Sequence, residues 1–291
     1  MREKLMPPPL RIFALTALAM IAFAANSVLA RLALSGESSI DPISYTATRL
    51  FSAAAILALI VHFRGLTKRK RPMDYLSIVT LFGYAAVFSL AYLRLDTAMG
   101  ALVLFGVVQM TMISAGLVKG ERLTRLQWVG IAIACAAFTY LMLPGLSAPD
   151  PLGAALMALS GLCWGIYSLA GQSGGDPLLR TADNFIGTLP LAFVAGGFYL
   201  WLGFADIHLS YSGVWLAVIS GAVMSGMGYA IWYSAVTGLS AAQGGIVQLS
   251  VPIIAAIGGV IFVSEPLSMR LCISALLILG GIALTMVRPR A

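Results

Sequence analysis

Two hexapeptides of this chain, GVVQMT at 106–111 and GIVQLS at 245–250, share one pattern, a glutamine inside an apolar run. Three further pairs of segments follow the same order along the chain. They are DPISYTATRLF (41–51) with DPLLRTADNFI (176–186), GERLT (120–124) with SEPLS (264–268), and FAANSVLAR (23–31) with CWGIYSLAG (163–171). The separation drifts by only a few residues from pair to pair, as small insertions between helices would cause. The chain therefore consists of two repeats.

The composition is that of a membrane protein. Hydrophobic residues make up 60% of the 291 residues and charged residues 10%, against about 25% charged residues in a soluble domain. A bilayer core is crossed by roughly 20 helical residues, and the apolar residues form ten blocks near that length. These blocks are 11–34, 43–63, 74–94, 98–118, 124–143, 152–171, 182–203, 213–235, 241–262 and 269–287. We expect an all-α membrane protein with ten transmembrane helices.

The basic residues predict the orientation. If the N-terminus is cytoplasmic, 14 of the 18 Lys and Arg residues lie on the cytoplasmic side or at the inner helix ends, as the positive-inside rule requires. KRKR at 68–71 then marks a cytoplasmic loop, and the net charge of +7 does not indicate nucleic-acid binding. We expect a multi-pass protein of the inner membrane with both termini in the cytoplasm. A secretory signal ending at 27–30 is the alternative for the first segment, but its match to 163–171 favours a retained helix.

The two repeats are inverted relative to each other. The first covers 1–147 and the second 148–291, and each holds five helices, so the second copy enters the membrane from the opposite side. The loop before helix 5 carries Lys119, Arg122 and Arg125, whereas the matching loop before helix 10 carries Arg270 alone. Inverted repeats are typical of secondary transporters with a substrate site between the repeats. This predicts alternating access through a central cavity lined by helices 1, 3, 4, 6, 8 and 9.

The chain resembles the drug/metabolite transporter superfamily, and within it the ten-helix EamA-type exporters. The resemblance covers the whole chain. It rests on the Gly-Glu-x-Leu-Thr turn at 120–124, the matching turn at 264–268, the pair Trp164-Gly165, and Arg49 in helix 2. The chain departs from the pattern at Phe23-Ala24, where Trp-Gly is common, and in helix 4, which lacks the proline that helix 9 has at Pro252. The resemblance implies export of amino acids or related metabolites.

Charged residues fall near the ends of the predicted helices, at Arg49, Asp183, Glu121 and Glu265. The two glutamates open helices 5 and 10, where a negative charge favours the helix dipole, and we interpret them as structural residues, hinges or gates. The interior carries amides, phenols and indoles instead. This suits a neutral or zwitterionic substrate, and we expect neutral or aromatic amino acids.

Six residues are candidates for substrate binding: Gln109, Gln248, Trp164, Tyr167, Tyr84 and Asn26. An amide offers two donors and an acceptor, enough to hold a carboxylate or an ammonium group. Packing between helices is an equal alternative for Gln109 and Gln248. Pro252 cannot donate to the Gln248 carbonyl and is expected to kink helix 9 there.

The aromatic candidates also have two interpretations. Trp164 and Tyr167 share one face of helix 6, and Trp164 and Tyr84 lie deep enough to line a pocket or to pack between helices, as does Asn26. Tyr92 and Tyr233 lie near helix ends and fit an interfacial aromatic belt.

Other function classes find less support. The sequence has no HExxH or GxSxG motif and no pair of carboxylates at helical spacing within the bilayer, so an enzyme is a weaker alternative. No ring of charges or selectivity filter indicates a channel. The three cysteines lack metal-ligand spacing, and we expect no cofactor and no metal. The expected partners are a small-molecule substrate and membrane lipid, without nucleic acid, and a monomer is compatible with the sequence. A facilitator, or an exporter of drugs, nucleosides or lipids, is the alternative function.

Overall fold

The computed structural model describes residues 8–36, 39–66, 73–120, 122–145, 148–171, 176–202, 207–236, 239 and 241–286. In these ranges the chain forms ten helices and no strand. The first seven are α1 (Pro8–Leu34), α2 (Pro42–Phe63), α3 (Tyr75–Tyr92), α4 (Thr97–Val118), α5 (Arg125–Met142), α6 (Pro151–Ala170) and α7 (Pro177–Trp201). The last is α10 (Met269–Thr285).

Two helices are composed of several segments. α8 runs through Tyr211–Val218, a π-helical segment Ile219–Met227, and Gly228–Val236. α9 comprises Ala241–Gln248, Ser250–Gly258 and the π-helical segment Gly259–Val263. The division after Gln248 is the expected break in helix 9, because Pro252 has no N–H to offer the Gln248 carbonyl.

Eight helices, α1 to α8, are long and apolar enough to cross a membrane, and the apolar segments Ser250–Val263 and Met269–Thr285 are shorter. The expected all-α membrane protein, with ten helices in two inverted five-helix repeats, is confirmed. The boundary between the repeats at 147/148 stays a prediction, and residues 146 and 147 lie outside the described ranges.

The matching Asp-Pro dipeptides of the two repeats begin matching helices. Asp41 caps α2 by accepting hydrogen bonds from the N–H groups of Ile43 and Ser44, and Asp176 caps α7 in the same way. The proline that follows each aspartate fits the first helical turn, where its missing N–H is not needed. α7 therefore begins at Pro177 and not at 182, since its first polar turn is already helical.

The first helix of each repeat packs against the other repeat. α1 contacts α8 and α9, and α6 contacts α3 and α4. Among the other contacts between the repeats, α2 with α7 and α5 with α10 join equivalent helices, and α2 also packs on α8. The interface between the repeats thus runs through the middle of the bundle, and most helices contribute to it.

The α5–α10 pair crosses at two glycines. A Cβ atom on Gly281 would overlap the carbonyl oxygen of Gly130, and a Cβ on Gly130 would overlap that of Gly281. The two backbones are therefore in direct contact, as is typical of small residues at membrane helix crossings. Neighbouring Gly280 faces open space.

Tyr92 does not belong to an interfacial belt. Its side chain is fully buried, its ring lies 4.7 Å from that of Phe88, and its hydroxyl donates to the Thr97 carbonyl at 3.4 Å. The expected position of Tyr92 in an interfacial belt was wrong. Tyr92 lies near the end of α3, but α4 covers that end and buries the side chain.

Candidate functional site

A cavity of roughly 30 Å³ lies between the two repeats. The six helices expected to line the path, α1, α3, α4, α6, α8 and α9, all contribute to it. Its lining consists of Phe23, Asn26, Ser27, Tyr84, Phe88, Leu104, Phe105, Trp164, Tyr229 and Gln248. The volume holds about one or two water molecules, far below the ~300 Å³ of a typical ligand pocket. A substrate therefore enters only when the helices move apart.

Four of the six predicted site residues line this cavity: Asn26, Tyr84, Trp164 and Gln248. Tyr167 is buried one turn along α6, with its ring 5.3 Å from that of Trp164, and is not part of the lining. Gln109 is buried on α4, one turn beyond Phe105 on the same helix face, and also lies outside the lining. Whether any of the six binds substrate stays a prediction.

Aromatic rings from both repeats surround the cavity. The Trp164 ring lies 4.7 Å from the ring of Tyr84 and 5.4 Å from that of Tyr229. Phe23 lies 5.6 Å from Tyr229 on the side of α1. Such tilted contacts between aromatic rings are favourable, so the rings form a continuous wall that also offers faces to an apolar or aromatic ligand.

Arg49 lies deeper than its place in the sequence suggests. Its Cα lies about 10 Å from the start of α2, but the side chain extends into the middle of the bundle and is 3% exposed. Nη2 donates to the Tyr84 hydroxyl at 3.1 Å, and the guanidinium carbon lies 4.9 Å from the centroid of the Phe88 ring. The expected position near a helix end was wrong because an arginine side chain reaches far from its own backbone.

The signal that identifies Arg49 is present in the sequence. A charge near the bilayer centre costs about 2.5–3.5 kcal/mol on insertion scales, so such a residue marks a functional position by default. Seven residues of α2 precede Arg49, and the helix has no other Asp, Glu, Lys or Arg, which makes Arg49 the exception in that segment.

The π-helical segment of α8 lies directly on α2 beside Arg49. A Cβ on Gly221 would overlap the Arg49 carbonyl, and a Cβ on Gly226 would overlap the Ile56 side chain. The segment presents the hydroxyl of Ser225 to Arg49, whose Nε and Nη2 both lie 3.4 Å from it. Single π-helical turns within α-helices are frequent at functional sites.

Two chains of hydrogen bonds converge on Asn26. Tyr45 donates to Ser220 at 3.0 Å, and Ser220 donates to Asn26 Oδ1 at 2.7 Å. Arg49 donates to Ser225, which donates to the same oxygen at 3.4 Å. Residues of α2 and α8 therefore determine how Asn26 faces the cavity.

A second polar cluster closes the end of the bundle where α1 ends and α4 begins, here termed the Arg31 end. Arg31 Nε lies 2.9 Å from Glu265 Oε1, its Nη1 donates to the Tyr92 carbonyl at 3.0 Å, and its Nη2 lies 3.3 Å from Asp96 Oδ1. Ser27, which lines the cavity, precedes Arg31 by one turn of α1. The ion pair thus joins the two repeats one turn beyond the cavity.

Glu265 also caps the N-terminus of α4, although it lies far from α4 in the sequence. Its Oε2 accepts the backbone N–H of Thr97 at 2.8 Å, whereas Asp96, the residue before it, makes no side-chain cap. The turn that holds Glu265 contains Ser264 in the left-handed conformation, with φ 59°. Glu265 therefore lies before α10 as predicted but contacts α4 and α1. Its counterpart Glu121 lies outside the described residues.

The fold is that of a multi-pass helical membrane protein with a cavity at the interface of two repeats, as in many transporters. The profile of the EamA-like transporter family matches this chain at residues 10–143 and again at 151–287. The chain belongs to this family, in agreement with the resemblance of its turn motifs.

The chain is also similar to individual proteins. An uncharacterized protein of Pseudomonas aeruginosa is 48% identical over 278 residues, 95% of each chain. The threonine/homoserine exporter RhtA of Salmonella typhimurium is 31% identical over 148 residues, which are 48% of this chain and 47% of RhtA. A solved crystal structure superposes with a TM-score of 0.63 at 22% identity, covering 92% of this chain and 98% of the other; this likeness concerns the fold.

Proposed function

We propose that this protein is a secondary transporter that exports small metabolites, with neutral or aromatic amino acids as its substrates, by alternating access around the central cavity. The observation that carries the proposal is the cavity itself, which lies between the repeats and is lined by six helices. The exporter RhtA, which is similar to about half of this chain, supports the direction of transport and the substrate class.

The lining suits such substrates. The rings of Phe23, Trp164 and Tyr229 offer apolar faces to a side chain. The amides of Asn26 and Gln248 can hold polar groups of a zwitterion without adding charge. Because the cavity of roughly 30 Å³ is smaller than any amino acid, this conformation is occluded, and transport requires openings toward each side in turn.

The proposed orientation places the Arg31 end on the outer side of the inner membrane, with both termini in the cytoplasm. The ion pair between Arg31 and Glu265 then forms the outer barrier, and release of substrate requires that it separates. A cleft of roughly 350 Å³ beside Asp96, Arg94 and Leu267 forms the outer vestibule. In this proposal the two repeats, 1–147 and 148–291, rock against each other, and a monomer with its surrounding lipid is sufficient.

A passive facilitator of the same compounds is a second candidate. The lining of the cavity contains ten residues and no aspartate or glutamate. Proton-coupled transporters commonly relay protons through carboxylates or histidines within the membrane, so the lining favours movement without proton coupling.

Flux through proteoliposomes tests the proposal. Purified protein is reconstituted and loaded with labelled neutral and aromatic amino acids, with and without a pH gradient. We expect saturable flux above that of empty liposomes, with competition among the compounds. Flux that is independent of the pH gradient supports the facilitator. No flux for any member of the panel rejects amino acids as substrates and favours drugs, nucleosides or lipids.

A further inference from the structure

Arg49 is a buried cation without a counter-ion among the described residues. Its side chain is 3% exposed and its Nη1 has no hydrogen-bond partner. Its other nitrogens donate to the hydroxyls of Tyr84 and Ser225. The salt bridges formed in the described part of the chain involve other arginines. Two hydroxyls and two ring faces lessen the cost of burying this charge but do not neutralise it.

The equivalent position of the second repeat is occupied by a neutral residue. Aligning DPISYTATRLF with DPLLRTADNFI places Arg49 opposite Asn184. Asn184 lies in α7 at the same distance from the helix start, and it is also 3% exposed. A neutral amide thus occupies the equivalent buried position in the same fold, and the charge of Arg49 calls for a separate reason.

The contacts of Arg49 orient hydrogen-bond donors toward the cavity. Arginine only donates, so the Tyr84 oxygen accepts from it and the Tyr84 proton remains for another acceptor. Ser225 likewise accepts from Arg49 and donates to Asn26 Oδ1. Ser220 donates to the same oxygen, which leaves the NH₂ group of Asn26 for the cavity. Tyr84 and Asn26 both line the cavity, and both have donors to offer there.

We propose that the part of the cavity lined by Tyr84 and Asn26 binds the carboxylate of the transported substrate. Tyr84 and Asn26 are the direct donors, and Arg49 behind them supplies the balancing positive charge and the unpartnered Nη1. An ionised carboxylate only accepts hydrogen bonds and fits these donors, whereas an ammonium group would meet the like charge of Arg49.

The inference rests on the proposed function and specifies its substrate class. The substrate carries an ionised carboxylate beside an apolar or aromatic body, which packs on the rings of Trp164 and Tyr229. Both amino acids and simple carboxylic acids meet this description. Amines and amides of the same shape do not.

Pairs of compounds that differ at the carboxylate test the inference. Purified protein in nanodiscs is titrated by calorimetry with 3-phenylpropionate and 3-phenylpropionamide, and with L-phenylalanine and L-phenylalaninamide. We expect each carboxylate to bind at least about tenfold more tightly than its amide. Tighter binding of L-phenylalanine than of 3-phenylpropionate indicates an amino acid, and the reverse indicates a simple acid; both support a carboxylate subsite.

Variants separate binding from a structural role. Arg49→Gln and Tyr84→Phe are expected to remove the preference for the carboxylates, Arg49→Lys to retain part of it, and the matched control Asn184→Ala to retain it fully. If Arg49→Gln does not fold, Tyr84→Phe and the comparison in the unaltered protein decide. Equal affinity for acid and amide, absence of carboxylate binding at millimolar concentration, or full preference in Arg49→Gln overturns the inference.

The two proposals fail in different ways. Carboxylate preference in calorimetry without flux of the amino-acid panel in proteoliposomes keeps the subsite and rejects amino acids as the transported substrates. Flux without carboxylate preference keeps the transporter and rejects the subsite.

Discussion

Arg31 of the first repeat and Glu265 of the second form an ion pair, with Nε 2.9 Å from Oε1. Glu265 uses its other oxygen to cap α4 at Thr97, so one carboxylate connects α1, α4 and the turn before α10. Arg31 follows the cavity residue Ser27 by one helical turn, and in the proposed mechanism this ion pair is the barrier between the cavity and the Arg31 end.

Weakening this ion pair is expected to open the outer side. Glu265→Gln removes the charge that holds Arg31, while the side chain keeps its size. In a background without the three native cysteines, a cysteine introduced as Ser27→Cys is labelled from outside with a membrane-impermeant maleimide. We expect labelling several-fold faster with Glu265→Gln than without it.

The control for this experiment is Arg94→Gln. Arg94 pairs with Asp150 at 3.6 Å on the same end of the protein, and both side chains are more than a third exposed. Exposed pairs contribute only about 0–1 kcal/mol, so the labelling rate should not change. Equal rates for Glu265→Gln and the unaltered protein would show that the ion pair is not the barrier.

The two glutamines that look equivalent in sequence should differ in transport. Gln248 lines the cavity and Gln109 does not. Loss of one hydrogen bond to substrate costs about 1 kcal/mol, so Gln248→Ala should lower kcat/KM for flux about fivefold, whereas Gln109→Ala should leave it within about twofold. Both variants should melt near the temperature of the unaltered protein. An equal loss in both would mean that Gln109 reaches the substrate in another conformation.

Two adjacent glycines of α10 should respond in opposite ways to alanine. A Cβ at Gly281 would overlap the Gly130 carbonyl, whereas Gly280 faces open space. Overpacking costs about 1–3 kcal/mol, and Gly280→Ala should be neutral or stabilise α10 by up to about 1 kcal/mol. Thermal unfolding in detergent measures both. A Gly281→Ala variant as stable as the unaltered protein would contradict the close α5–α10 crossing.

The turn before α10 holds two serines with opposite expected effects. Ser264 is in the left-handed conformation at φ 59°, where its counterpart Gly120 has φ 89°, so Ser264→Gly should stabilise the protein by about 0.5–1 kcal/mol. Ser268 caps α10 by accepting the N–H of Leu271 at 3.1 Å, so Ser268→Ala should destabilise it by about 1 kcal/mol. Thermal unfolding measures both variants. A Ser264→Gly variant less stable than the unaltered protein would contradict the left-handed conformation of Ser264.

The sequence predicted the helices well because their determinants are local. The length of each apolar run indicates a membrane span, and the Asp-Pro and Ser caps lie within one turn of the helix they begin. The repeated hexapeptides indicated the duplication, and an odd number of helices per repeat implied its inversion. Only the start of α7 was misplaced by several residues, because its first turn is polar.

The candidate site was predicted less completely. Asn26, Tyr84, Trp164 and Gln248 lie together at the cavity, but Arg49 was assigned to a helix end and Gln109 was treated as the equal of Gln248. The proline at Pro252 divides α9 after Gln248, and α4 has no such break. The two glutamines therefore face different surroundings although their hexapeptides match.

The sequence by itself determined the ten helices, the two repeats and their inversion, because these depend on hydropathy, capping and parity along one chain. Only the tertiary structure decided which polar groups meet. Arg31 meets Glu265, and Arg49 meets Tyr84 and Ser225, across separations of up to 234 residues. Such contacts depend on how the helices cross: α1 packs against the second repeat and α6 against the first. The residue pattern along a single helix does not specify which helices become its neighbours.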